Sequence, residues 1–226
     1  MISYKPKILE HLLLCIFFLA LMVLFHETNL DKKIASQFYL HSEWIYRDNF
    51  FLEKILHKGG VLFTITALVG LVGYLIYLWP KAEQKQRRDY IAYIITSCLI
   101  SILAVFFLKC WSTFPCPWNS VDFGGGTLIP SIWQMFAPGL PSGKCFPGGH
   151  SSGGYAFLSV YFGYLFIYGK RKFLALLPGI IIGVLFGVTQ QLRGAHFLSH
   201  DMATISICIM SSLVTSCLYS IYNKNI

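Results

Sequence analysis

Three short clusters in this chain combine residue types that hold an anion and move protons. The first is Lys109, at the end of an apolar run. The second is "CFPGGHSSGG", Cys145 to Gly154, where four glycines and two serines surround His150. The third is "QQLRGAHFLSHD", which carries Arg193, His196, His200 and Asp201. Glycine and serine leave backbone N–H groups approachable, and imidazole exchanges protons near neutral pH. Two cations, exposed amides and two imidazoles together suit a phosphate ester. The cations and amides hold its oxygens, one histidine attacks, and another protonates the leaving group. The run "PGGHSSGG" directly precedes an apolar segment, so the free N–H groups of a helix start would point into the same site. Ser151 and Ser152 can cap that helix and donate a hydrogen bond.

These clusters must be positioned by membrane spans. Of 226 residues, 55% are hydrophobic and 12% charged, with a mean hydropathy of +0.60. A spanning helix needs roughly 20 apolar residues, and suitable windows occur near 8–25, 60–79, 90–108, 152–168, 173–189 and 202–221. The first is read as an uncleaved span, since no small-residue cleavage site follows its core. Six spans predict an all-α polytopic bundle, a single membrane-embedded domain over residues 1–226, with both termini on one side. The basic clusters sort to that side: Lys5 and Lys7, then Lys81, Lys85, Arg87 and Arg88, then Lys170, Arg171 and Lys172, and Lys224. Short basic loops stay cytoplasmic, which places the termini inside and the three clusters at the opposite, external face. The formal charge of +8 is therefore mostly an orientation signal, and nucleic acid is not an expected partner.

Between the first two spans, residues 26–59 hold five basic and five acidic residues. This stretch reads as one or two short amphipathic helices at the interface, with Trp44, Tyr46, Phe50 and Phe51 at headgroup depth. The region after Lys109 is dense in Pro, Gly and aromatics, and Trp111, Trp118 and Trp133 argue for an ordered external loop.

In the order and placement of its clusters, the chain resembles the type 2 phosphatidic acid phosphatase superfamily in its integral membrane branch. The pattern of that family is Lys, six residues, Arg-Pro; later Pro-Ser-Gly-His; later still Ser-Arg, five residues, His, three residues, Asp. Lys109 matches the phosphate-binding lysine and Pro117 the first-motif proline. Pro147, Gly149 and His150 match the second motif, and His196 matches the nucleophile. The resemblance implies a phosphohistidine mechanism with no cofactor and no metal, His150 acting as the leaving-group acid and a carboxylate orienting the His196 ring.

The departures fall on phosphate donors. Cys116 occupies the place of the first-motif arginine, Gly148 that of the second-motif serine, and Gln190 that of the third-motif arginine. Arg193, one helical turn from Gln190, is the expected substitute guanidinium, with Gln190 itself able to donate an amide hydrogen bond. The phosphate-binding set is therefore Lys109, Gly148, Gly149, Ser151, Gln190 and Arg193. The residue four after His196 is His200, and Asp201 follows it. We expect Asp201 to orient His196, because a carboxylate best stabilises an imidazolium, and His200 to lie in support behind it. The His196/His200 pair at i, i+4 also has the spacing of a zinc site, an alternative that the family order disfavours.

Of seven cysteines, Cys15, Cys98, Cys208 and Cys217 fall within spans. Cys116 and Cys145 lie in the second external loop and form a candidate disulfide if that face is oxidising, as at a bacterial inner membrane, although spacing leaves the pairing open. The expected function is hydrolysis of a lipid phosphate monoester or diphosphate at the external face. Candidate substrates are a polyprenyl diphosphate, phosphatidylglycerol phosphate, phosphatidic acid or the phosphates of lipid A. A lipid phosphotransferase using the same intermediate, and a non-catalytic transporter or assembly subunit for anionic lipid, are the alternatives.

Overall fold

The computed structural model describes residues 5–224. The side chains of Lys5, Lys7 and Lys224, which entered the orientation argument, lie outside that description. The described chain is helical throughout its membrane portion: α1 (Lys5–Glu27), α3 (Gly59–Leu78), α4 (Lys85–Trp111), α5 (Gly149–Tyr155), α6 (Ser159–Tyr168), α7 (Leu177–Leu192) and α8 (Leu198–Lys224), with a short α2 (Leu30–Ala35) outside the bundle. Five helical stretches are long and apolar enough to cross a membrane: Ile8–Glu27, Phe51–Leu78, Ala82–Trp111, Phe173–Leu192 and Leu198–Tyr222. Large apolar side chains stand exposed along them, Ile16, Val69 and Ile76 among the most open. An apolar surface this extensive belongs against lipid, and the protein is an all-α, multi-pass membrane protein.

The window expected at 152–168 is helical but divided. α5 and α6 are joined by a 3-10 turn at Ala156–Leu158, so the count of continuous spanning helices differs from six. The Gly- and Ser-rich start of this stretch supplies close approach rather than apolar length. A β-carbon on Gly154 would collide with the backbone of Gly183 in α7, so these two helices touch main chain to main chain.

α8 is the hub, with α1 and α4 packed along it, while α5 lies on α7. The core joins Cys15 of α1, Tyr93 of α4, Tyr155 and Phe162 of the α5–α6 pair, and Cys208 and Ile209 of α8. Without water between helices, polar groups must be satisfied across the bundle. Tyr93 donates to the Ser212 carbonyl at 2.6 Å, and the Ser97 and Ser212 hydroxyls meet at 3.0 Å.

Two loops roof one end of the bundle. The first contains α2, a two-residue hairpin β1 (Tyr39–Leu40) with β2 (Glu43–Trp44), and a π-helical stretch, Phe51–Lys58, that runs into α3. Phe50 and Phe51 are exposed, as an interfacial position requires, but Trp44 is not. It is buried against Phe123 and Phe197, and a β-carbon on Gly194 would strike its ring. The loop is thus a cover for the α7–α8 turn. The second loop, 112–148, is ordered by short 3-10 turns and a bridge between Ser120 and Thr127. A Lys32–Asp122 ion pair at 3.0 Å and Arg47 over the Trp118 ring tie the two loops together.

Candidate active site

Lys109 lies in the last turn of α4, and its ammonium reaches over the start of α5. A β-carbon on Gly149 would sit 3.3 Å from Nζ, so glycine is what admits the cation there. His150 is the next residue of α5. Its Nε2 is 3.2 Å from the Leu56 carbonyl, and a carbonyl only accepts, so this nitrogen carries the hydrogen and Nδ1 is left to exchange a proton. The ring stacks on Phe186 of α7 and meets the His57 ring edge-on. Burial, helped by neighbouring His57, pushes the His150 imidazole down to about 4.

His196 occupies the turn between α7 and α8. Gly194 makes that turn with a φ of +73°, and the Gln190 carbonyl accepts the amides of Ala195 at 2.9 Å and His196 at 3.4 Å. Burial first, and the Lys109 charge second, hold the His196 imidazole well below its ordinary range, with His150 contributing. Lys109 and His150 thus both lie near this one buried ring, and the three clusters separated in sequence share one end of the bundle.

The carboxylate assignment needs correction. α8 is regular from Leu198, so neighbouring residues point about 100° apart. His200 faces back, its Nδ1 3.1 Å from His196 Nδ1, packed edge-on against Phe146. Asp201 is rotated away toward α7 and accepts Gln191 Nε2 at 2.5 Å. It lies beneath Gly148, where a β-carbon would approach Oδ1 to 2.9 Å, and against Gly187, where one would approach Cγ to 2.8 Å. His200, not Asp201, is the direct neighbour of His196. Glycine at the second-motif serine position also acquires a reason: a serine β-carbon would crowd Asp201.

Several expected phosphate donors are spent elsewhere. The Gly148 amide donates to Thr204 Oγ1 at 2.9 Å, and Ser151 Oγ donates to the Gly148 carbonyl at 3.1 Å. Ser152 Oγ similarly donates to the Gly149 carbonyl at 2.7 Å. Arg193 follows the end of α7 and is held at the rim: Nε donates to the Arg47 carbonyl at 2.9 Å, and Nη1 lies 3.2 Å from His57 Nδ1. As the αR C-cap of α7 it does follow Gln190 by one helical turn, and its guanidinium stands beside His57. Gln190 is buried, and its Nε2 has no protein partner, leaving an unused donor at the third-motif arginine position.

Cys116 and Cys145 are joined in a disulfide with a Cα–Cα distance of 5.1 Å. It links the first-motif loop to the second. Cys145 Sγ touches the Ala195 carbonyl oxygen at 2.9 Å and lies 3.9 Å from His196 Nδ1. The cross-link therefore packs directly against the His196 ring. Among the described residues, no cluster of three or more His, Cys, Asp or Glu is arranged to hold a metal ion.

A family model, the PAP2 superfamily, matches residues 90–224, which takes in Lys109, His150 and His196. The chain belongs to the PAP2 superfamily. Neither the curated proteins nor the solved structures offer a significant match. PAP2 members are generally phosphatases, which sets the coarse class as phosphoric ester chemistry on lipid-like substrates. The PAP2 match begins beyond the loop between α1 and α3, and sequence reasoning missed what that loop brings. His57 and the Leu56 carbonyl flank His150 from outside every motif. A histidine at the mouth of an apolar run was the available signal. Gln191, Thr204 and Gly187 carried none, since their roles depend on where Asp201 points.

Proposed function

We propose that this PAP2 chain is a membrane lipid phosphatase that cleaves a phosphate monoester or diphosphate from a lipid at the external face, through a phosphohistidine on His196. One observation carries the reading: a lysine, the half-buried His150 and buried His196 imidazoles and an unpartnered Gln190 amide converge where the loops cover the bundle. Such a site suits an anion that brings its own charge, because among the described residues neither Lys109 nor Arg193 forms an ion pair with a carboxylate.

Lys109 and the Gln190 amide hold the phosphate oxygens. His196 Nε2 attacks phosphorus, and the P–O bond to the lipid breaks with its electron pair leaving on oxygen. His150 supplies the proton to that oxygen from Nδ1. In the empty site the His150 ring is neutral, and a bound phosphate dianion pulls a proton onto it, since a nearby opposite charge favours the charged form. Water then attacks phosphorus, His150 takes its proton, and the N–P electron pair returns to Nε2. A Gly149 β-carbon would push against Lys109, which ties the glycine of the motif to the grip on phosphate.

The test is phosphate release from a panel of lipid phosphates by the full chain in detergent, with a chelator present. Release that His196→Ala abolishes supports the reading. Release that needs added metal would favour metal chemistry at the His196/His200 pair. Full tolerance of His196→Ala would favour a non-catalytic lipid-binding protein.

A further inference from the structure

Two cations flank His150. Lys109 stands over Gly149 on one side. Arg193 stands on the other, beyond His57, whose ring lies edge-on to that of His150 with centroids 4.7 Å apart. Glu53, the acid whose charge acts on His57, is taken by Lys54 at 3.0 Å and Lys58 at 3.2 Å. Arg193 is only 7% exposed, and a guanidinium so buried is costly without an anion beside it. Two acceptors reach it: Nε donates to the Arg47 carbonyl at 2.9 Å, and Nη1 to His57 Nδ1 at 3.2 Å. Nη2 has no protein hydrogen-bond partner among the described residues. A guanidinium only donates, so His57 Nδ1 accepts and its Nε2 carries the hydrogen. That Nε2 also has no protein partner among the described residues. Two donors, one of them charged, are left open beside the leaving-group acid.

The two cations serve different parts of the site. The Lys109 charge acts on both His150 and His196. The Arg193 charge acts on His150 and His57, and is not among those that act most on His196. The inner cation therefore covers the phosphorus under attack, and the outer one covers what lies beyond the leaving oxygen. In a phosphate monoester that position holds lipid carbon, which gives a buried guanidinium nothing to pair with. In a lipid diphosphate it holds a second phosphate. The leaving group points the same way. Burial lowers the His150 imidazole to about 4, so the ring holds its proton weakly. Expelling an alkoxide needs that proton, because an alcohol is about as weak an acid as water at about 15.7. A phosphate monoester, whose second proton comes off near about 6, departs with little help.

We infer that Arg193 and His57 hold a second phosphate on the leaving-group side, which makes the substrate a lipid diphosphate. The inference rests on the phosphohistidine reading and names the substrate class within it. His196 Nε2 bonds to the terminal phosphorus. The bond from that phosphorus to the bridging oxygen breaks, and its electron pair stays on that oxygen, now part of a lipid monophosphate held by Arg193 and His57. Water then releases inorganic phosphate from His196. One lipid monophosphate and one inorganic phosphate result, and no other reactant is required.

The experiment gives the full chain, in detergent with a chelator, a polyprenyl diphosphate or the monophosphate of the same polyprenol. It reads kcat/KM for phosphate release and separates the lipid products, with phosphatidic acid as a third substrate. Wild type is expected to favour the diphosphate by about ten-fold or more, the scale of a hydrogen bond to a charged group, and to accumulate the lipid monophosphate. Arg193→Gln should lose more on the diphosphate than on the monophosphate, so that the ratio of the two kcat/KM values falls by about ten-fold. His57→Ala should lower the ratio in the same direction. Equal losses on both substrates overturn the inference, since Arg193 would then hold the reacting phosphate itself. Wild type that uses the monophosphate as well as the diphosphate also overturns it, and that comparison decides the matter if the variants do not fold. Release confined to phosphatidic acid does the same. All three outcomes leave the phosphatase reading standing. Absence of release from every lipid phosphate overturns the phosphatase reading and the inference with it.

Discussion

Replacing Gly187 by alanine would drive a methyl group into the Asp201 carboxyl. The new β-carbon would lie 2.8 Å from Cγ and closer still to Oδ2, whereas unstrained contacts to carbon begin near 3.4 Å. The carboxyl has little room to recoil. Gln191 Nε2 holds it on one side at 2.5 Å, and Gly148 abuts its other oxygen. Relief therefore requires either a shift of α7 or loss of the Gln191 bond. Overpacking costs about 1–3 kcal/mol, and the half-buried Gln191 amide stripped of its acceptor adds about 1 kcal/mol, the low end of the cost for a buried donor. We expect Gly187→Ala to destabilise by about 2–4 kcal/mol. At roughly 2–4 °C per kcal/mol for a chain of this size, the unfolding midpoint should drop by several degrees or more. The assay is thermal unfolding in detergent followed by intrinsic fluorescence, on a four-member cycle with Asp201→Ala. Truncating Asp201 removes the obstacle, so Gly187→Ala should cost little in that background, a coupling of about 2–3 kcal/mol. If Gly187→Ala costs the same with and without Asp201, the carboxyl is not where the structure puts it, and the correction from Asp201 to His200 loses its basis.

Arg193→Ala should lower kcat/KM by about 10–100-fold, and Arg193→Lys should restore little of it, because two separate N–H groups of one guanidinium engage the Arg47 carbonyl and His57. Steady-state kinetics on the best lipid phosphate checks both variants. Cys116→Ser and Cys145→Ser should each weaken turnover more than substrate binding, since the bridge packs against His196, and reductant should mimic them in wild type but not alter the variants further. For pH, His150 and His196 have imidazoles lowered by burial, so the unfolded chain binds more protons than the folded one in acid. The stability they lend is fully present above the ordinary imidazole value of about 6.5. It is lost as the pH falls, through about 4 for His150. Unfolding midpoints from pH 7.5 to 4.5 should fall in wild type and fall less steeply in His150→Asn; equal slopes would refute the assignment.

The sequence alone determined the membrane-spanning, all-helical character, because long apolar runs with few charges have no other stable fold in lipid. It also singled out Lys109, His150 and His196, whose residue types and order carry chemistry that the apolar runs around them do not need. It could not say which way neighbouring side chains point. His200 and Asp201 differ by a single position, and only the start of a regular α8 at Leu198, together with glycines on two other elements, decides that the imidazole meets His196 while the carboxyl turns to α7. Nor could it count the donors left free. The Gly148 amide and the Ser151 hydroxyl look available on paper, yet both are satisfied by partners that folding brings to them, and Gln190 is left open. His57 and the buried Trp44 join the site from a loop outside every motif, because contacts between distant segments depend on packing that no local pattern encodes.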